Sequence, residues 1–308
     1  PRESLRTVYG RIDQDIDRAI ELLEKARETT LAENNKSHIN LYVALGIKSR
    51  ACLAEGDWDG AFKAAKRVID EGGYAVGTKS DLTGGMNSLD KQNVMWGAGI
   101  QVADQAGGYA GFFTHMDNKE GAYAKSAPKL ISKQLYNRIS ATDIRRDWWD
   151  PSDKESPYVS KKFSFANVAS FLGDYIYMRV EEMYFTAAEA ALRLDDLKSA
   201  RELMNTVMAE RDPGYSANNR SGTLLGATTT TWTGSFLENI LTHRRIELWG
   251  EYGRLFDVRR LGQGIDRRTD DGFSEECISM MNRRNVNITK ADTYDWVLTI
   301  PKAELDAN

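Results

Sequence analysis

The chain has 308 residues, 41% of them hydrophobic and 28% charged, which is enough for a sizeable core. A net charge of −4, from 41 basic and 45 acidic residues, leaves no surplus of Lys or Arg to neutralise phosphates and argues against nucleic acid as a partner. No apolar stretch is long enough to span a bilayer, and the opening PRESLRTVYG lacks the apolar core of a signal peptide, so the sequence by itself leaves the compartment open.

Taken from the start, Leu5, Val8, Tyr9, Ile12, Ile16, Ile20 and Leu23 recur at helical spacing. They predict a helix of roughly six turns with one buried face. Asn34-Asn35-Lys36-Ser37 interrupts it. A second helix is expected from about His38 to Leu53, with Tyr42, Leu45, Ser49 and Cys52 on one stripe. Gly56-Asp57 breaks the pattern, and a third helix is expected from about Trp58 to Asp70. Small residues Gly46, Ala51, Ala61 and Ala64 permit close packing, and the helix, tight turn, helix arrangement resembles a tetratricopeptide hairpin. Cys52 fits as a small core residue; with Cys277 as its only fellow it defines neither a metal site nor a disulfide framework.

The pattern then changes. Residues 72–125 hold 11 glycines and no sustained helical stripe, with a short strand expected within Asn93–Val102. A helix is expected near 126–140, with Pro128 in its first turn. Helical stripes return from Val180 to Leu194 and from Leu197 to Val207, separated by the turn Asp195-Asp196. Ser235 and Glu238 have capping-box spacing ahead of a helix through Ile240, Leu241, Arg244 and Leu248. Residues 212–234 and 262–292 are loop-like. The expected fold is therefore mainly α: tetratricopeptide-like helical hairpins with long irregular loops and a little short β-structure. The chain divides as one domain, 1–308. Segments 1–71 and 178–262 form its helical scaffold, 72–177 is a loop-rich ligand segment and 263–308 is a C-terminal loop region.

Enzyme signatures are missing: there is no G-x-S-x-G elbow, phosphate-binding glycine loop or dinucleotide fingerprint. His38, His115 and His243 lack metal-site spacing, so neither a metal nor a cofactor is expected. The informative cluster is Trp96, Tyr109, Phe112, Phe113, His115 and Tyr123, set in text that includes Gly107, Gly108 and Gly111. Aromatic faces pack on the C–H face of a sugar ring, and glycines let the backbone approach a ligand. Trp148 and Trp149, beside the turn Asp150–Asp153, form a second aromatic pair. For both sets the alternative is burial, the rings anchoring a long loop on the helices. The charged run from His243 to Arg260 spaces Glu247, Glu251, Arg254 and Asp257 for ion pairs that lock a helix to its neighbours.

Four motifs together resemble the SusD/RagB family of surface nutrient-binding lipoproteins of Bacteroidetes. Arg179-Val-Glu-Glu182, followed by Ala188-Glu189-Ala190, is similar to its R-x-x-E-x-x-L-x-x-A-E-A helix. Glu247-Leu-Trp-Gly-Glu251, with Arg254, Asp257, Arg260 and Gly262, resembles its E-L-x-x-E…R…D-L-x-R-x-G run. Asp143-Ile-Arg145 resembles its D-x-R, and Ile300-Pro301 with Glu304 and Asn308 its closing I-P-x-x-E-x-x-x-N. His243 stands where Glu is common, and Tyr252-Gly253 shifts the usual glycine. The resemblance implies a SusD-like α-α superhelix that binds oligosaccharide or polysaccharide without cleaving it. It also implies lipid anchoring at the outer-membrane surface, membrane attachment through that anchor alone, and delivery of the glycan to a SusC-like TonB-dependent transporter. Members of the family are longer at the N-terminus, so the chain resembles an N-terminally truncated piece lacking their signal peptide and lipidated cysteine. Two other functions remain open at this stage: a tetratricopeptide-type scaffold binding peptide or protein, and a glycoside hydrolase on a helical fold.

Overall fold

The computed structural model describes residues 3–29, 35–104, 111–218, 220, 234–263 and 302. Three long helices open the chain: α1 (Leu5–Thr29), α2 (Leu41–Glu55) and α3 (Trp58–Glu71). The second begins at Leu41 rather than His38 because Asn40 caps it, its side-chain oxygen accepting from Val43 N at 2.9 Å. The turn into α3 explains Gly56-Asp57. Gly56 takes φ +81°, a left-handed conformation that glycine adopts without a Cβ penalty. Asp57 then caps α3 by accepting from Gly60 N at 3.0 Å.

The middle of the chain contains only short elements: α4 (Lys79–Thr83), β1 (Val94–Ala98), α5 (Phe112–Met116), α6 (Ala122–Ser126), α7 (Lys133–Tyr136), β2 (Trp149–Asp150), β3 (Val159–Ser160) and β4 (Tyr175–Arg179). The continuous helix expected near 126–140 does not form. Ala127 precedes Pro128, whose ring disfavours helical geometry at that residue, and it sits at φ −142°. Leu130 instead bridges to Val159, and Ser132 restarts a single turn by accepting from Leu135 N. β1 falls inside the stretch expected to hold a strand. It pairs antiparallel with β4, Val94 opposite Arg179 and Ala98 opposite Tyr175, with irregularities on either side of Trp96.

β4 runs directly into α8 (Val180–Arg193), followed by α9 (Leu197–Ala209), α10 (Phe236–Glu247) and α11 (Arg254–Arg260). The α8–α9 turn repeats the logic of α2–α3. Asp195 takes φ +62°, and Asp196 caps α9 by accepting from Ser199 N at 3.0 Å. The capping signal before α10 is realised as well: Ser235 accepts from Glu238 N, while the Glu238 carboxylate reaches back to Gly234 N.

Helices α2, α3, α8 and α9 pack in sequence, with α1 against α2 and α10 against α8, so the fold is mainly α with tetratricopeptide-like hairpins. Alanines at 64, 65, 187, 188 and 191, all buried, allow the close approach. Leu45, Met95, Met183, Phe185, Leu203 and Ile240 fill this core. A second cluster under the loops gathers Leu82, Phe113, Leu135, Trp148, Trp149 and Phe163. One expectation needs correction. Only the C-terminal half of α1 packs its apolar stripe on the core, through the partly buried Ile20 and Leu23. Val8 and Ile12 are exposed, and Leu5 is 72% exposed, because the second helix of the hairpin is too short to cover the first turns. Among the described residues no helix is long and apolar enough to cross a membrane.

Candidate ligand-binding pocket

The charged residues of the recognised motifs converge on one buried site. Glu247, at the end of α10, accepts from Arg145, Arg179 and Arg211 at 3.0–3.1 Å, and none of the four side chains reaches solvent. Arg145 is held in turn by Asp143 at 2.6 Å. Glu181 accepts from Arg211 at 2.8 Å, Asn93 at 3.0 Å and Gly77 N at 2.9 Å. Glu251 pairs with Arg179 through two 2.8 Å contacts and with Lys162 at 2.5 Å. Elements far apart in sequence are joined through these side chains, as expected of the charged run, but the spacing of Glu251 to Arg254 is not used: among the described residues Glu251 pairs with Arg179 and Lys162 and Arg254 makes no ion pair. Arg211, Lys162 and Glu181 are partners that spacing alone could not supply.

His243 belongs to the same site. Its Nδ1 lies 2.8 Å from Arg145 Nη2, and burial, then the Arg145 charge, push its pKa well below the usual value. A neutral imidazole that accepts from an arginine thus occupies the position where the resemblance leads one to expect Glu. A second set of pairs continues outward. Arg50 of α2 binds Glu182 of α8 at 2.9 and 2.6 Å, Arg244 bridges Glu182 and Asp257, and Arg260 bridges Asp257 and Glu189. Among the described residues no group of His, Cys, Asp and Glu could hold a metal ion.

The network supports one wall of a pocket of about 540 Å3 beside the β1–β4 ribbon. That volume falls in the range of small-ligand sites. Its surface is mostly rings: Trp96, Phe112, Phe163, Tyr175, Tyr177 and Tyr252, with Met86 and Ile176 between them. Trp96 and Tyr177 meet edge to face with centroids 5.1 Å apart, and Tyr177 remains 41% exposed. Phe112 packs edge to face on Phe163 at 5.2 Å. Polar groups border the rings: Arg50, whose guanidinium lies 3.8 Å over Tyr252, and Glu251. Between them runs Gly250 at φ +74°, where a Cβ would come within 2.6 Å of the Phe163 ring. Glycine is required there by conformation and by space.

The structure separates the aromatic residues singled out from sequence. Trp96 and Phe112 line the pocket. Phe113 is buried at 2% exposure, its ring against Phe112, Phe165 and Tyr175. Trp148 is equally buried, its Nε1 donating to Leu82 O at 2.9 Å. These two rings therefore have no face to offer a ligand, the packing alternative having prevailed for both. Trp149 is buried between Trp148 and Trp249 and borders a different, charged recess of about 420 Å3 near Arg146, Asp147 and Lys161. Its Nε1 has no acceptor among the described residues. His115 and Tyr123 lie outside the pocket as an exposed parallel stack, 4.6 Å and 8° apart, with His115 on the same helix as Phe112. Tyr109, Cys277 and the closing motif from Ile300 lie outside the described residues. Sequence reasoning missed Tyr175 and Tyr177. The alternation Tyr175-Ile176-Tyr177-Met178 before Arg179 carried a strand signal that could have found them.

Comparisons with known proteins agree with this fold. The SusD family model matches residues 114–308. A SusD-like carbohydrate binding protein from Bacteroides vulgatus superposes with TM-score 0.80 at 26% identity, over 100% of this chain and 66% of its own. A SusD superfamily protein from Bacteroides thetaiotaomicron gives 0.71 at 22%, over 96% of this chain and 64% of its own. Surface glycan-binding protein A from Bacteroides uniformis gives 0.63 at 17%, over 100% and 68%. At their identities the latter two speak to the fold alone. The chain spans just under two thirds of the length of the first two structures. No curated protein matches the sequence.

Proposed function

The chain belongs to the SusD family, and from that premise we propose that it captures oligosaccharide in the pocket beside the β1–β4 ribbon and does not cleave it. The observation that carries this reading is the open ring surface of Trp96, Phe112, Tyr175 and Tyr177, bordered by Arg50 and Glu251. A pyranose ring has apolar C–H faces and a polar rim. Flat aromatic walls cover the faces while charged groups at the edge bond the hydroxyls. The expected affinity is millimolar to micromolar, about 4–8 kcal/mol in all, with one or two stacked rings as its anchors. The exposed His115–Tyr123 stack offers a further flat face for a longer chain, whereas Trp149, at 1% exposure, has as little face to offer as Trp148.

The reading of binding without cleavage is supported by the state of Glu251, the carboxylate that lines the pocket. Glycoside hydrolysis generally uses two carboxyl groups, one of them protonated to serve the leaving oxygen. Glu251 is held ionised: burial would raise its pKa, but Arg179 and Lys162 override that and keep it below the usual value. That state does not suit the role of the acid. The family premise supports the rest of the proposal: lipid anchoring at the outer-membrane surface and delivery of the captured glycan to a SusC-like TonB-dependent transporter.

The test is a glycan array followed by calorimetry on the hits, with reducing-sugar release measured on the same ligands. The proposal expects hits with affinities in the stated range and no turnover. Turnover abolished by one carboxylate substitution would overturn it, and so would hits confined to a peptide library run in parallel.

A further inference from the structure

Resting on the glycan reading of the same pocket, we infer that Glu251 determines specificity by accepting a ligand hydroxyl, and that the pocket takes neutral sugars and rejects uronate and sulfated ones. The inference begins with the lone pairs of one carboxylate. Glu251 Oε1 accepts from Lys162 Nζ at 2.5 Å and from Arg179 Nη2 at 2.8 Å. Its Oε2 accepts from Arg179 Nε at 2.8 Å and from no other donor among the described residues. An oxygen with two acceptor directions thus keeps one open. The side chain is 10% exposed and borders the ring-lined pocket. Two buried cations fix the carboxylate, so it presents that lone pair without having to be ordered when a ligand arrives.

The charge state of the walls then selects the ligand. Arg50 is compensated by Glu182 through two contacts, at 2.9 and 2.6 Å. Glu251 is compensated by Arg179 and Lys162. Each charge on the pocket border therefore has a counter-ion, Arg50 sharing Glu182 with Arg244. A carboxylate or sulfate brought in would lose its water beside an ionised glutamate, with no unpaired cation to repay the desolvation. A hydroxyl meets no such penalty, since it donates to Glu251 Oε2. Among the described residues Arg50 Nη1 has no acceptor, and it can donate to a second ligand oxygen without a net charge being introduced.

The experiment uses the intact chain on an array of neutral, uronate-bearing and sulfated oligosaccharides. Hits are then titrated by calorimetry against wild type, Glu251→Gln and Tyr177→Ala. Hits confined to neutral ligands are expected, with Glu251→Gln weakening them about 10-fold or more and narrowing the gap to their uronate counterparts. Because Glu251→Gln also disturbs two buried cations, a deoxy series of a neutral hit is run on wild type, where removal of one hydroxyl should reproduce the loss. An anionic ligand bound as tightly as its neutral counterpart overturns the inference. A deoxy series with no sensitive hydroxyl does the same. If Tyr177→Ala still weakens binding in those cases, the pocket reading stands while the Glu251 inference fails; an array without any hit removes both.

Discussion

Arg179 and Glu251 meet in a two-point ion pair, Nε to Oε2 and Nη2 to Oε1, each at 2.8 Å. Arg179 ends the strand that carries Tyr175 and Tyr177, and Glu251 follows α10. The pair therefore ties two walls of the pocket to each other and, through Arg179 and Glu247, to the buried network. Rigidity of the binding surface and stability of the core share the same side chains.

The first consequence concerns Glu247. Replacing it by Ala leaves three buried guanidiniums without their common acceptor and should cost about 3–5 kcal/mol of unfolding free energy. Glu247→Gln, which keeps the shape and one oxygen acceptor, should cost less. Denaturant unfolding of both variants checks the order. A loss under about 1 kcal/mol for Glu247→Ala would mean the network does not hold the fold.

Acid should act through the same group. Burial alone would raise the Glu247 carboxyl, but Arg211, Arg179 and Arg145 hold it well below the ordinary 4.5. Glu251 is lowered too, by Arg179 and Lys162 against burial. The folded state therefore binds fewer protons than the unfolded chain in acid, so this stability is present above pH about 4.5 and is lost as pH falls through the folded pKa values. Unfolding free energy measured from pH 7 downward should stay level and then decline below that point. Glu247→Gln should show a shallower decline, and an equal slope in both proteins would contradict the assignment.

Lys162 behaves oppositely at the alkaline end. Burial, aided by Arg179, lowers it from 10.5 to about 8 even though Glu251 opposes the shift. The folded pKa lies below the unfolded one, so the cost of burying the ammonium is fully present below pH 8. That cost is relieved as pH rises from 8 toward 10.5. Relative to Lys162→Met, wild type should gain on the order of 3 kcal/mol between pH 7 and pH 10.5. A difference independent of pH would show that Lys162 titrates normally.

Gly250→Ala tests the border of the pocket. The substitution forces a Cβ onto a residue at φ +74° and toward the Phe163 ring. It should cost about 1–3 kcal/mol in stability and also reduce glycan affinity, because Phe163, which lines the pocket, must give way. Unchanged melting and unchanged affinity together would show that this backbone position is not constrained.

Much of this fold was legible from the sequence. The helices of both hairpins, their turns at Gly56-Asp57 and Asp195-Asp196, and the ion-pair role of the run after His243 all rest on local spacing, which a chain displays openly. The region near 126–140 misled because Pro128 suits a helical first turn yet also bars Ala127 from helical geometry. The pocket was legible only in part. Trp96 and Phe112 were visible as rings among glycines, but their neighbour Phe113 was indistinguishable from them, and which ring faces outward is decided by tertiary packing. Tyr175 and Tyr177 carried a strand signal, but that this strand faces Trp96 and that Arg50 joins it from α2 are relationships between distant elements, which no spacing rule encodes.

The most direct test of glycan capture compares two sets of ring removals on one array hit. Trp96→Ala and Tyr177→Ala should each weaken binding about 5- to 30-fold in calorimetry, from loss of a stacking face worth roughly 1–2 kcal/mol, while the protein remains folded. Phe113→Ala, a core substitution, should instead lower stability by about 3–5 kcal/mol. Undiminished affinity in folded Trp96→Ala and Tyr177→Ala would contradict the account.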